Sequence, residues 1–159
     1  KESIFNIINH SSKFQLNLKS AIVLDLFSGV GSFGIECLSR GAKEVIFIEN
    51  YKKVLPVLKK NLLSLKSIQN YQIIEKNVYE KDTLSNLGKT FNIVFLDPPY
   101  KDKNLWLLLE IILKNNLLKK GGIIILHRHK DEKEILPKNF KLLEEKKYGI
   151  SKIIFGSYF

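Results

Sequence analysis

The sequence predicts an α/β fold: a seven-stranded, mostly parallel sheet with helices on both faces and its last strand antiparallel. Three observations carry this. Short runs rich in Ile, Val, Leu and Phe, near 21–26, 44–49, 71–75, 92–97 and 122–128, read as buried strands. Helical stretches separate them, which is the βαβ alternation of a parallel sheet. The chain then closes on two strand-like segments with a turn at Tyr148-Gly149, an antiparallel pair.

Taken in order, Lys1 to Asn9 reads as a short amphipathic helix that turns Ile4, Phe5, Ile7 and Ile8 inward. Further helices are expected near 32–40, 51–66, 79–86 and 102–118, with Gly121-Gly122 supplying the C-cap of the last. A short helix near 131–136 leads into a hairpin of residues 140–148 and 150–159. Neither a repeat nor a low-complexity linker interrupts the pattern, so residues 1–159 form one domain.

The most specific motif is Asp97-Pro98-Pro99-Tyr100, directly after the apolar run Ile93-Val94-Phe95-Leu96. Prolines have no N–H and cannot extend a sheet, so the strand stops at Asp97 and leaves acceptors free. An exocyclic base amine is a poor nucleophile, its lone pair delocalised into the ring, until acceptors hold its N–H bonds. Asp97 and the Pro98 carbonyl are placed to do that, and Tyr100 offers a π face on which any base can stack. This points to methyl transfer onto a nucleobase nitrogen. The plain alternative is a β-turn closing a strand.

Upstream, the strand Ala21-Ile22-Val23-Leu24-Asp25-Leu26 runs into Gly29-Val30-Gly31-Ser32-Phe33-Gly34 and a helix. Glycines allow the backbone to approach a ligand closely. Glu49, at the end of Val45-Ile46-Phe47-Ile48, is positioned to grip a ribose diol. A nicotinamide site shares this pairing of GxGxxG and a downstream acid. Two features favour a methionyl ligand: Asp25 lies in the strand ahead of the first glycine, and Phe27-Ser28 lengthens the turn. Asn77-Val78, after the strand Tyr71-Gln72-Ile73-Ile74-Glu75, fits an adenine contact or an ordinary loop equally well.

The net charge of +10 is compatible with a nucleic-acid partner. Yet the basic residues are almost all Lys, with Arg only at 40 and 128, in a chain also rich in Ile, Asn and Leu; this resembles the bias of an AT-rich genome. A single Cys excludes a disulfide framework, and Cys37 sits on an apolar helix face as a core residue. No apolar run approaches the roughly 20 residues that span a bilayer, and no signal peptide is visible. A cytoplasmic or organelle-interior location is expected, with no membrane partner. His127 and His129 share one strand face, but without a third ligand nearby no metal site is expected. The absence of Met suggests that a native N-terminal segment precedes Lys1.

With these motifs in hand the chain resembles a known family. The run Val23-Leu24-Asp25-Leu26-Phe27-Ser28-Gly29-Val30-Gly31-Ser32-Phe33-Gly34-Ile35-Glu36, followed by Leu38-Ser39-Arg40-Gly41-Ala42, is similar to the RsmD-type bacterial methyltransferases that modify guanine N2 in 16S ribosomal RNA. The Asp97–Tyr100 motif, the Glu2-Ser3-Ile4-Phe5-Asn6 helix and the ending Lys146-Lys147-Tyr148-Gly149-Ile150-Ser151-Lys152-Ile153 extend the likeness over essentially the whole chain. The resemblance implies a Rossmann-like class I methyltransferase fold with strand order 3-2-1-4-5-7-6, S-adenosylmethionine as cofactor, ribosomal RNA or a small-subunit assembly particle as partner, and a monomer. It implies that Asp25, Phe27, Ser28, Gly29 and Gly31 line the methionyl end of the cofactor. Glu49 and Asn50 would hold the ribose, and Asn77 and Val78 the adenine. Asp97 and Pro98 would orient the amine, Tyr100 would stack on the base, and Pro99 and Lys101 fall on the substrate side. Two departures stand out: relatives carry a basic segment ahead of the Glu2-Ser3 helix, and they tend to place an acidic residue where this chain has Leu126-His127-Arg128-His129.

Two rivals remain at this point. Asp-Pro-Pro-Tyr serves any exocyclic amine, so a DNA or RNA adenine-N6 methyltransferase shares it, although such enzymes usually carry a further recognition domain. A non-catalytic or NAD-binding Rossmann domain is the more distant alternative.

Overall fold

The computed structural model describes residues 2–158, with side chains from residue 3 onward. Seven strands form one sheet: β1 (Ile22–Leu26), β2 (Glu44–Ile48), β3 (Tyr71–Ile74), β4 (Phe91–Leu96), β5 (Leu118–His129), β6 (Lys141–Tyr148) and β7 (Ser151–Ser157). Their order is β3-β2-β1-β4-β5-β7-β6, with β7 antiparallel to both neighbours and the other pairs parallel, as the family resemblance implies. Helices α1 (Glu2–His10), α2 (Ser32–Ser39), α3 (Leu55–Leu63) and α4 (Leu105–Lys114) cover the two faces.

The period-two alternation of the strands sorts their side chains into two cores. Val23, Val45, Phe47, Ile93 and Phe95 point to the face that carries α1, α2 and α3, where Phe5, Phe33, Cys37 and Leu58 are buried. Ring stacking ties this layer together: Phe33 lies 4.0 Å from Phe95 and 5.4 Å from Phe5, centroid to centroid. Leu24, Leu26, Ile46, Ile48, Val94 and Leu96 point the other way, against Leu105, Leu108, Leu109 and Ile112 of α4. Both faces being covered, the central strands β1, β2 and β4 are apolar apart from Asp25, Glu44 and Asn92. Ile4, Phe5 and Ile8 are buried and Ile7 packs beside them, as expected for the first helix; Lys1 and Phe159 of the predicted elements lie outside the described residues.

Several predicted elements are corrected. The helix expected at 79–86 is a series of turns, because Asp82 adopts a left-handed conformation (φ 67°) and Asn77 diverts local donors, its Oδ1 accepting from Tyr79 N and its carbonyl from the Thr83 hydroxyl. The helix expected at 51–66 shortens to α3, ended by Lys66 at φ 53°. The helix expected at 102–118 ends at Lys114, and its left-handed terminator is Asn116 (φ 50°), with Leu117 N bonding back to Ile112 O. Gly121-Gly122 is therefore no cap. The pair lies inside β5, where the register to β4 slips between Phe91 and Ile93; Gly121 takes φ 80° and a Cβ on Gly122 would stand 2.8 Å from the Lys119 carbonyl. Residues 131–136, expected as a short helix, hold only the end of a turn at Asp131 and no regular structure beyond it, and Glu134 there reaches back to pair with Arg128.

Candidate active site

The parallel register aligns the carboxyl ends of β1, β2, β3 and β4 with Leu126 of β5, which itself runs on to His129 beside β7. Leu26 pairs with Ile48 and with Leu96, Ile48 with Ile74, and Leu96 with Leu126. The next residues, Phe27, Glu49, Glu75, Asp97 and His127, consequently emerge along one edge of the sheet, neighbouring strands being about 4.8 Å apart. Ligands bind at this edge in open α/β sheets, where the strand order reverses. Here the reversal falls between β1 and β4, bringing the glycine loop against Asp97-Pro98-Pro99-Tyr100.

Three clefts open on that edge and Asp97 lines all of them. A cleft of about 480 Å³ is bounded by Phe27, Glu49, Asn50, Asn77, Val78 and Asp97. One of about 300 Å³ runs over Asp25, Ser28, Gly29, Phe33, Asp97 and His127. The third, about 180 Å³, lies between Asp97, Pro98, Tyr100, His127, His129 and Ser151. Two residue sets assigned to one cofactor thus face adjoining spaces, and the set assigned to a base faces the third. Pro99 lines the largest of these three clefts rather than the smallest; Lys101 is exposed and lines none of the three.

Glu49 organises the loops around it. Its Oε1 accepts from Gly29 N at 2.8 Å, and Oε2 accepts from Asn50 N and Tyr51 N, both at 2.9 Å. A carboxylate offers about four lone-pair sites, so three amides leave capacity for a hydroxyl. Phe27 (φ 56°) and Gly29 (φ 56°) take left-handed conformations that turn the loop, while Ser28 donates through N and Oγ to the Ile48 carbonyl. Gly31 lines none of the three clefts. At φ 87° it caps α2, and a Cβ there would stand 2.5 Å from Leu58, so its left-handed backbone and the packing of α2 on α3 both call for glycine.

Asp25 points from β1 toward α2, where its Oδ2 accepts from Gly34 N at 3.1 Å. Burial pushes its carboxyl up to about 8; the Gly34 hydrogen bond opposes the rise, and the charges of Asp97 and Glu49 add to it. The folded state therefore keeps a proton on Asp25 that the unfolded chain, near 3.8, gives up. The unfolded state binds fewer protons between these values, so this residue's contribution to stability falls as pH rises from about 4 to about 8, by at most about 1.4 kcal/mol per unit. We expect Asp25→Asn to flatten the stability difference over that window in denaturant titrations; an unchanged slope would contradict the protonated assignment.

Asn77 is exposed with its Oδ1 already accepting from Tyr79 N, while Val78 is buried. Tyr79, which sequence reasoning did not single out, borders the same cleft, packs against Phe27 at 6.2 Å and donates its hydroxyl to Asp102 at 2.8 Å. Burial pushes that phenol well above its usual range, so it stays a donor. His127, weighed in the sequence as a metal ligand and not as a partner of Asp97, has its Nδ1 3.0 Å from Asp97 Oδ1. His127 and His129 do not act as a pair: His129 meets Asp131 and the edge of Tyr100, a residue 68% exposed. Among the described residues no group of three potential ligands could hold a metal.

A family model, conserved hypothetical protein 95, matches residues 1–157. The chain belongs to that family. The ribosomal RNA small subunit methyltransferase D of Haemophilus influenzae is 39% identical over 128 residues, covering 80% of this chain and 66% of the relative. Its counterpart in Buchnera aphidicola subsp. Baizongia pistaciae is 36% identical over 149 residues, covering 92% and 72%. The chain spans about two thirds of the length of these relatives. Among solved structures, a methylase from Haemophilus influenzae superposes with a TM-score of 0.79 at 32% identity, covering 99% of this chain and 94% of that one. The family is one of methyltransferases, which sets aside the nicotinamide reading of the glycine loop.

Proposed function

We propose that this chain transfers a methyl group from S-adenosylmethionine to the exocyclic N2 amine of a guanine in small-subunit ribosomal RNA, acting as a cytoplasmic monomer. The observation that carries the reading is the position of Asp97 at the junction of all three clefts. The residues fit the cofactor: Glu49 has acceptor capacity left at the cleft of about 480 Å³, Val78 offers an apolar wall for a purine, and Asp25 faces the adjoining space. When bound, S-adenosylmethionine supplies a methyl on a sulfonium whose leaving group is a neutral thioether.

The chain's own task is positioning. Asp97 and the Pro98 carbonyl accept the two N–H bonds of the amine and favour a nitrogen whose lone pair points out of the ring. Tyr100 stacks on the base, a contact worth about 1–3 kcal/mol. The proton released by N2 passes to the free oxygen of Asp97 and on to water. Lifting a base from its stack costs a few kcal/mol, which favours an unpaired site or an assembly intermediate as substrate. No helix among the described residues is long and apolar enough to cross a membrane.

The test is to incubate the protein with small ribosomal subunits and with duplex DNA, then digest to nucleosides for mass spectrometry. N2-methylguanosine from the subunits is expected. N6-methyladenine from either substrate would replace this reading with the adenine alternative.

A further inference from the structure

Asp97, the first residue after β4, and His127, within β5, stand at one level on adjacent strands, and the His127 Nδ1 to Asp97 Oδ1 distance is 3.0 Å. A carboxylate oxygen only accepts, so Nδ1 carries the hydrogen and the neutral ring presents Nε2 on its far side. His127 also borders both smaller clefts that meet at Asp97. The terminal torsion of an aspartate is broad and roughly two-fold, so a half-exposed carboxylate at a strand end has no single orientation of its own. We propose that His127 is a positioning residue for methyl transfer: its ring N–H holds one oxygen of Asp97 and thereby turns the other toward the target amine. The proposal rests on the reading of Asp97 as the amine's acceptor.

The arrangement responds to pH. The hydrogen bond with Asp97 raises the His127 pKa above the ordinary 6.5, partial burial opposes it, and the Asp97 charge adds to the rise. Other ionisable groups around the ring are Asp25 from β1, Arg128 and His129 on β5 and Glu132 in the following loop. Below its titration the ring is an imidazolium, which draws the carboxylate's electron density toward itself and leaves the free oxygen a weaker acceptor. Turnover should therefore fall on acidification through the His127 titration.

Two variants and one spectrum test this. His127→Ala is expected to lower kcat on small subunits by roughly 10- to 100-fold, with the Kd for S-adenosylhomocysteine within about twofold. His127→Asn, whose amide N–H stands where Nδ1 stood and does not titrate, should recover most of that kcat and lose the acid limb. Independently of turnover, the imidazole resonances of His127 should titrate at lower pH in Asp97→Asn than in the parent protein. An unchanged kcat in His127→Ala beside an inactive Asp97→Ala would overturn the positioning role while leaving the acceptor reading intact. An acid limb that persists in His127→Asn and disappears in Asp25→Asn would overturn it in favour of Asp25. If the parent protein methylates nothing, the functional reading fails, and an imidazole titration indifferent to Asp97→Asn would end the pairing as well.

Discussion

Asp97→Ala should reduce kcat by roughly 10²–10³-fold, the range seen when one preorganised polar group aimed at the reacting atom is removed, and leave the Kd for S-adenosylhomocysteine within about twofold. The asymmetry follows from geometry. Asp97 touches the edge of the two clefts assigned to the cofactor, but the hydrogen bonds that shape those clefts come from Glu49, Ser28 and Asn77, none of which involves Asp97. The substitution removes an acceptor at a half-exposed position that follows the last buried residue of β4, so the fold should survive. Single-turnover assays and calorimetry measure the two halves separately. A loss of cofactor affinity matching the loss of turnover would place Asp97 on the wrong side of the reaction.

Glu49→Ala should produce the opposite pattern, weakening S-adenosylhomocysteine by about 100-fold or more. Hydrogen bonds to a charged group contribute about 1.5–3 kcal/mol each, and each 1.4 kcal/mol is a factor of ten in affinity. Losing the acceptor for a ribose hydroxyl accounts for one such step. The second comes from the loops: Gly29 N, Asn50 N and Tyr51 N lose their common partner at once, so the glycine turn is no longer held at its present distance from β2. Glu49→Gln should fall between, because one of its two atoms is then a donor facing backbone donors. Calorimetry with S-adenosylhomocysteine decides this, and a Kd within twofold of the parent for the alanine variant would remove Glu49 from the cofactor site.

The sheet was legible because its signal is local. Runs such as Ile93-Val94-Phe95-Leu96 are buried on both faces and leave little doubt about type, and Pro98-Pro99 fix where β4 stops. Glu49 and Asp97 were legible for the same reason: each is the first polar residue after an apolar strand, and in a parallel sheet that position opens on the ligand edge. What was not legible depends on register or on single left-handed residues. Asp82 and Asn116 carry the conformations that end helical structure, and nothing in their neighbours' identities distinguishes them from the glycines that more often do so. The slip between β4 and β5 converts Gly121-Gly122 from an expected cap into a bulge, and it also sets which β5 residue stands beside Asp97. That residue is His127, whose role could not be read from spacing because it depends on the pairing of two strands 30 residues apart.

The central claim is that the glycine turn and the Asp97–Tyr100 ledge serve one reaction from opposite sides. A crystal structure with bound S-adenosylmethionine tests it most directly. The account predicts the ribose hydroxyls on Glu49, the adenine against Val78, and the methyl carbon directed into the cleft between Asp97, Pro98 and Tyr100. A cofactor seated elsewhere on the sheet, or one whose methyl points away from Asp97, would contradict it.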